Sequence, residues 1–359
     1  MKITRIASHV LSCDMPETLG YSQQYYRRRT AHLVEVETDE GVTGWGECFG
    51  PGAVAVANKG IVEGVIQPMV LGADPLDRDV IWHRVYNLLR DHGRKGMPLQ
   101  ALSGVDIALW DISGKVAGLP LHKLIGGAHR NDVPVYGYGM MLRPERVSEL
   151  AARFRDEAAA VREAGFVAAK MKLGLGREDD VRLAEAVRRG VGAYWFEEPV
   201  APEDLDGYRE LRAGLRINIA GGETEFNRWG WRAILENRGL DIAQPEVCAL
   251  GGISEYLRVL ALCHAHHTPV VNHVWGSAVA VATNLHLLAA MPTLPGGLNP
   301  WEPMLEFDTT ENVFRDGLLV EPLDIQGHVK RNGGRVAIPT APGLGVSPDR
   351  DFIRRYEMA

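Results

Sequence analysis

Cysteine is scarce in this chain. Four residues in 359, with no Cys-x-x-Cys pair, leave little basis for a disulfide framework or a thiolate zinc site. Cys13, Cys48, Cys248 and Cys263 are scattered, so the cytoplasm is the expected compartment. No apolar run approaches the roughly 20 residues a membrane-spanning helix needs. The opening Met1-Lys2-Ile3-Thr4-Arg5-Ile6 alternates like a strand and lacks the pattern of a secretory leader. Excess positive charge is missing too: 39 Lys and Arg face 46 Asp and Glu, a formal net charge of -7, with no basic stripe to track a phosphate backbone. Neither nucleic acid nor membrane is an expected partner. What remains is an ordinary globular composition, 46% hydrophobic and 24% charged, in a chain long enough for more than one domain.

The order of patterns predicts an α/β protein. Residues 2 to about 48 suit an antiparallel sheet, with Asp39-Glu40-Gly41-Val42 as a turn between strands. Three helical stretches follow, the clearest carrying Ala101, Val105, Ala108, Leu109, Ile112 and Val116 on one face before Gly118. After Gly126-Gly127, apolar runs alternate with helical periodicity. Val133 to Tyr138 is the first run, followed by a helix through Val147, Leu150, Phe154 and Val161 that stops at Gly165. Later runs end at Lys172, Glu198, Glu223, Glu246 and His273, and most are followed by a helix. That is how a parallel β/α barrel reads, and such barrels do their chemistry at the carboxyl ends of their strands. The tail beyond about 306 is expected to be β-rich, with a hairpin turn at Asn332-Gly333, and to return to the first domain. The expected division is 1–127 as an α+β cap, 128–306 as the barrel and 307–359 as the returning segment.

Chemistry concentrates at the ends of those runs. Lys170 and Lys172, two apart on a strand, point the same way. They mark either a solvated edge or the barrel mouth, and the flanking apolar residues favour the mouth. A lysine serving as general base must be neutral, and a second ammonium or a divalent cation nearby disfavours its charged form. Glu197 and Glu223 end successive runs and are expected to share a hard cation such as Mg2+, since two unpaired buried carboxylates would be costly. Salt bridging is the plainer alternative for each. Period-2 geometry turns Glu198 away from the barrel interior, and it and Glu225 are read as supporting or exterior residues. His273 ends an apolar run, and Glu246 is placed to orient its imidazole. Glu306 either hydrogen-bonds a substrate oxygen or closes the barrel by a salt bridge. Tyr25, Tyr26 and Arg27 fall in a polar loop of the first domain that could cover the pocket, whereas His264, His266 and His267 lie on a helix outside the barrel.

With these residues in view, the chain resembles the mandelate racemase subgroup of the enolase superfamily over nearly its whole length. The resemblance is carried by Thr38-Asp39-Glu40-Gly41 through Gly44-Trp45-Gly46-Glu47, Asp106-Ile107-Ala108-Leu109-Trp110-Asp111, Lys170-x-Lys172, Glu197-Glu198-Pro199, Gly222-Glu223, Gly251-Gly252-Ile253 and His273-Val274-Trp275-Gly276. It implies a modified TIM barrel under a cap built from both termini. It also implies Lys172 and His273 as opposing acid/base groups, Lys170 as the partner that tunes Lys172 and touches the substrate carboxylate, and Glu246 as the orienter of His273. Glu197 and Glu223 become Mg2+ ligands, and Glu306 a substrate-carboxylate contact. The stretch Asp91-His92-Gly93-Arg94-Lys95-Gly96 and the ending Leu305-Glu306-Phe307-Asp308 resemble sugar-acid dehydratases and galactarolactone cycloisomerases.

Two positions depart from that pattern. The family's third metal ligand is an Asp on a strand between the Lys-x-Lys and Glu-Glu-Pro strands, yet here Gly174 to Gly192 holds one helix and no such strand. The barrel is therefore expected to be one β/α unit short, with a segment absent, a true deletion, or a ligand rewired from Asp179 or Asp180 as the explanations. The second departure is Glu246, where the family usually has Asp. The expected function is Mg2+-dependent removal of the proton α to the carboxylate of a sugar acid or its lactone, followed by β-elimination. A racemase or epimerase, and a non-catalytic relative lacking one metal ligand, are the alternatives. The expected partner is a small-molecule carboxylate, and the expected assembly a homo-oligomer.

Overall fold

The computed structural model describes residues 1–188, 195–293 and 301–358. Long alternating runs at the start form an antiparallel meander of β1 (Ile3–Tyr21), β2 (Gln24–Thr38) and β3 (Thr43–Cys48), in that order. Gly41, at a φ of 78°, turns the chain between β2 and β3 as Asp-Glu-Gly-Val suggests. Four helices follow, α1 (Ala53–Ile61), α2 (Gln67–Val70), α3 (Arg78–Leu89) and α4 (Met97–Ala117), with a π turn, Val62–Ile66, joining the first two. The helix α4 ends at Gly118 in the left-handed conformation. It packs tightly on β3, where a Cβ on Gly44 or Gly46 would collide with the α4 carbonyls of Ala108 or Gly104. Short α5 (Leu121–Ile125) leads to the barrel.

The β/α alternation then appears as β4 (Asp132–Met140), α6 (Val147–Glu163), β5 (Ala168–Met171), α7 (Arg177–Arg188), β6 (Trp195–Glu197), α8 (Leu205–Gly214), β7 (Asn218–Gly221), α9 (Asn227–Asn237), β8 (Ile242–Ala243), α10 (Gly252–Ala265), α11 (Ala278–Ala290) and β9 (Leu305–Asp308). Parallel pairing gives two arcs. One is β9-β4-β5; the other is β6-β7-β8, extended by a parallel bridge from Ala243 to Val270. Among the described residues no ladder joins β5 to β6, the interval in which a strand is expected to be missing. The expected last strand, near 299–305, lies partly outside the described residues, and β9 takes its place beside β4.

The tail corrects one expectation. Rather than β-rich, it holds α12 (Val313–Asp316), α13 (Ile325–Arg331) and α14 (Arg350–Tyr356), with one short strand, β10 (Arg335–Ala337), antiparallel to the start of β4. Each helix begins at a side-chain cap, Asn312, Asp324 or Asp349. Asn332-Gly333 ends α13 and is not a hairpin. The return to the first sheet is present: Met358 N–H donates to the Val10 carbonyl, and Leu11 bridges Glu357. No helix among the described residues is long and apolar enough to cross a membrane.

Candidate active site

The strand ends bring five carboxyl groups, two lysines and a histidine to one rim. Lys170 and Lys172 leave β5 on the same side, as period 2 requires. Lys170 is 5% exposed, and its Nζ lies 2.5 Å from both Glu197 Oε1 and Glu306 Oε1. Burial disfavours its charge, but the Glu197 and Glu306 carboxylates outweigh burial and hold the ammonium well above its ordinary pKa. Lys170 is therefore a fixed cation. Lys172 Nζ stands 4.0 Å from Glu197 Oε1 and 3.7 Å from Glu223 Oε2.

On the opposite side, His273 Nε2 lies 3.3 Å from that same Glu223 oxygen, and its Nδ1 lies 2.7 Å from Glu246 Oε2. The longer Glu246 side chain thus still reaches the imidazole. Its other oxygen accepts the Cys248 N–H, which fixes the carboxylate. Burial would lower the pKa of His273, but Glu223, Glu306 and Glu246 raise it to about 9. Glu306 is saturated at both ends: one oxygen takes Lys170 and the other accepts the Val274 N–H at 3.0 Å. Of its two sequence readings, the salt bridge is what this arrangement contains.

Glu197 and Glu223 both stand beside the Lys172 ammonium, 4.0 and 3.7 Å from its Nζ. Burial would raise both pKa values, but Lys170 and Lys172 for Glu197, and His273 with the two lysines for Glu223, hold both below the ordinary carboxylate range. Glu197 is further fixed by Gln244 Nε2, 2.7 Å away, and by the Trp195 indole N–H at 3.3 Å. Gln244 was legible in principle, since it sits two residues before Glu246 and so shares its face.

Glu198 corrects the period-2 expectation. Its φ of 42° places it in the left-handed region, which ends the strand's alternation. Its carboxyl stays beside the site, receives the Thr224 hydroxyl at 3.4 Å, and is pushed up to about 7 by burial and by Glu223 and Glu197. Glu225 instead turns outward to Lys95, 2.6 Å away. The rewired-ligand explanation does not hold: Asp180 accepts the Gly174 and Leu175 N–H groups, and Asp179 pairs with Arg182. His264, His266 and His267 lie at the end of α10, away from the rim.

Does this donor set fit a magnesium ion? Among the described residues no three His, Cys, Asp or Glu side chains form a metal-holding group. Residues 189–194, 294–300 and 359 contain none of those types. A pair of adjacent carboxylates is nevertheless a hard oxygen site, and Mg2+ is commonly held by one or two carboxylates with water completing the shell. Glu197 and Glu223 fit that mode.

The cap roofs the mouth. Phe49 meets the His273 ring edge-on at 5.9 Å and Trp275 at 5.9 Å, while Met15, Leu19, Tyr138 and Met141 cluster with Tyr26 and Trp275. The polar trio expected in a loop lies on β2 instead, and of it Tyr26 is part of this roof. The Tyr138 ring lies 5.0 Å from Lys170 Nζ and 5.5 Å from Lys172 Nζ. The motif acids of the cap are structural. Glu47 accepts the Ser277 N–H, the Ser277 hydroxyl and the Ala280 N–H at the start of α11. Asp106 holds Ser254 on α10 through its N–H and hydroxyl, and Asp111 holds the Trp45 and Leu344 N–H groups.

Comparison with known proteins agrees with this geometry. Residues 13–126 match the mandelate racemase / muconate lactonizing enzyme N-terminal domain, and residues 189–352 match the enolase C-terminal domain-like family. The D-galactarolactone cycloisomerase of Agrobacterium fabrum is 39% identical over 389 aligned positions, about 30 more than this chain has residues, covering 100% of this chain and 99% of that one. The crystal structure of the 3,6-anhydro-D-galactonate cycloisomerase from Zobellia galactanivorans superposes with a TM-score of 0.85 at 31% identity, covering 100% of both chains. An L-talarate/galactarate dehydratase from Salmonella typhimurium LT2, liganded with Mg and L-lyxarohydroxamate, superposes with a TM-score of 0.82 at 25% identity, covering 100% of this chain and 93% of that one. The chain belongs to the mandelate racemase / muconate lactonizing enzyme family of the enolase superfamily of enzymes.

Proposed function

We propose that this protein removes the proton α to the carboxylate of a sugar acid or sugar-acid lactone and then expels a β-oxygen, as an acid-sugar dehydratase or a lactone cycloisomerase. The observation that carries the reading is the placement of Lys172 and His273 on either side of one Glu223 oxygen, within 3.7 and 3.3 Å of it, beside the Lys170–Glu306 pair. Lys170, held charged by Glu197 and Glu306, binds the reacting carboxylate, and Glu306 fixes that ammonium in place. Lys172 takes the α-proton. His273, held by Glu246 and still protonated at neutral pH, gives a proton to the departing oxygen. Glu197 and Glu223 would hold Mg2+, which as a Lewis acid withdraws charge from the substrate carboxylate when bound.

The finer architecture belongs to the same proposal. The barrel lacks one β/α unit between β5 and β6, supported by the missing ladder there and by an alignment longer than this chain. The domains are 1–127, 128–306 and 307–359. The four free thiols support a reducing, cytoplasmic setting for a homo-oligomer.

The test is a panel of aldonic and aldaric acids and their lactones with Mg2+, followed for 2-keto acid, for lactone rearrangement and for solvent deuterium at the α-carbon. Deuterium uptake without elimination would make the protein a racemase or epimerase. No exchange and no turnover on any member would overturn the reading. The alternative of a non-catalytic relative starts from the lack of a third metal ligand among the described residues. Calorimetry that detects sub-millimolar Mg2+ binding, lost in Glu197→Gln or Glu223→Gln, rejects that alternative.

A further inference from the structure

The roof of the pocket holds a buried cation to which the proposed reaction gives no task. Arg29 lies on β2 and is 3% exposed. Ala31 and Leu33, on the same face of the strand, are buried in the core shared with the barrel, so Arg29 points down onto the barrel as they do. Its Nη1 donates to Asp308 Oδ2 at 2.9 Å and its Nη2 to the Thr310 hydroxyl at 2.8 Å, while the buried Nε–H has no acceptor. A buried charged donor in that condition is costly in a folded protein.

Its place is above the reacting end of the pocket. Asp308 follows Glu306 by two residues on β9, so the two side chains share a face and Asp308 stands about 7 Å nearer the strand's carboxyl end. The guanidinium lies 6.0 Å over the Trp275 ring, and through Trp275 and Phe49 the roof continues to His273. Asp308 itself is fully used. One oxygen takes Arg29, and the other accepts the Thr310 N–H at 2.9 Å and its hydroxyl at 2.6 Å. The neighbouring Tyr26 phenol is pushed up to about 12 by burial and stays a donor. This layer is therefore rich in donors, the unpaired Arg29 Nε–H first among them, which suits a group that only accepts, and a carboxylate is such a group.

We propose that Arg29 is a substrate-binding residue that recognises a second carboxylate at the far end of the substrate, and so selects diacids over monoacids of the same length. This rests on the reading that Lys170, fixed by Glu306, holds the reacting carboxylate. The two-residue rise from Glu306 to Asp308, about 7 Å, compares with about 6 Å between the carboxyl carbons of an extended six-carbon diacid, five carbon–carbon bonds of about 1.5 Å in a zigzag.

The experiment compares kcat/KM for a six-carbon aldaric acid and the aldonic acid of the same stereochemistry, in the wild type, Arg29→Lys and Arg29→Met. The ratio within one protein is independent of the fraction folded. Arg29→Met is expected to lower the diacid-to-monoacid ratio by about 10- to 100-fold, as loss of a charge-assisted hydrogen bond does, with Arg29→Lys between. A ratio that changes less than threefold, with both acids losing equally, would assign Arg29 to packing alone and overturn the proposal. If Arg29→Met leaves Asp308 uncompensated and fails to fold, Arg29→Met/Asp308→Leu removes both charges and is read the same way. Should the wild type turn over neither acid, the functional reading is decided on the wider panel of acids and lactones. Calorimetric binding of the two acids to the wild type and Arg29→Lys then decides the role of Arg29 separately: diacid affinity that falls threefold or more against monoacid affinity sustains it, and a smaller change refutes it.

Discussion

Replacing Glu246 with Gln should lower the pKa of His273 from about 9 into the region of roughly 7 to 8. The Nδ1 to Oε2 contact of 2.7 Å is a buried, charge-assisted hydrogen bond. Such bonds contribute about 1.5 to 3 kcal/mol, which at 1.36 kcal/mol per pH unit is about 1 to 2 units. Gln keeps a carbonyl oxygen for the Nδ1–H, so ring orientation is retained while the charge is lost. The assay is an NMR titration of the His273 ring carbons in metal-free protein. The sign can be checked through stability. A histidine whose folded pKa is raised contributes stability that is complete below its unfolded value of 6.5 and is lost as pH rises through about 9. Glu246→Gln should therefore destabilise the protein most near pH 6 and much less above pH 9. Titration within roughly half a unit of the wild type would refute the reasoning, because Glu246 would then not be what sustains the imidazolium.

Saturating Mg2+ should also lower the pKa of His273, since Glu223, the largest contributor raising it, would give its charge to the metal; no change would argue against Glu223 as a ligand. Lys170→Met should abolish turnover and destabilise the fold by about 3 to 5 kcal/mol, because Glu197 and Glu306 would lose their buried cation; urea unfolding checks it, and wild-type stability would sink it. Glu47, buried and pushed up to about 7 from 4.5, favours the fold below pH 4.5 and costs it stability as pH rises through 7. Glu47→Gln should therefore flatten the fall in stability between pH 5 and 8 by about 3 kcal/mol, read from denaturant melts.

The sequence was most legible where one rule governs both pattern and placement. Side chains two apart on a strand share a face, and barrels gather chemistry at one end. Those two statements put Lys170, Lys172, Glu197, Glu223 and His273 together, as the distances among them bear out. Glu198 shows where the rule stops. Alternation presumes extended backbone, and a residue at φ 42° before Pro199 no longer obeys it. The tail fails for another reason. Short capped helices of four to seven residues, among Gly and Pro, leave too few turns to show a period, and Asn-Gly ends a helix as readily as it turns a hairpin. The caps Asp324 and Asp349 were the signal available. Glu47 and Asp106 were visible only as parts of a family motif, and nothing in their spacing says that they anchor α11 and α10.

Charge balance ties the proposed pair of metal-binding carboxylates to the chemistry. Around the rim, Glu197, Glu198, Glu223, Glu246 and Glu306 face Lys170, Lys172 and His273, five carboxyl groups against three cations. Glu198, at about 7, absorbs part of the excess by taking up a proton. A third metal-binding carboxylate would have added a further negative charge to a site already in excess. Without one, the deficit is close to what one divalent ion supplies, with Glu197 and Glu223 both beside Lys172 to receive it. The ammonium of Lys172 and the imidazolium of His273 now both lean on Glu223. A cation that drew Glu223 away would release both groups at once toward a substrate lying between them. Metal binding and the arming of the two acid/base groups would then be one event, because all three compete for the same oxygen.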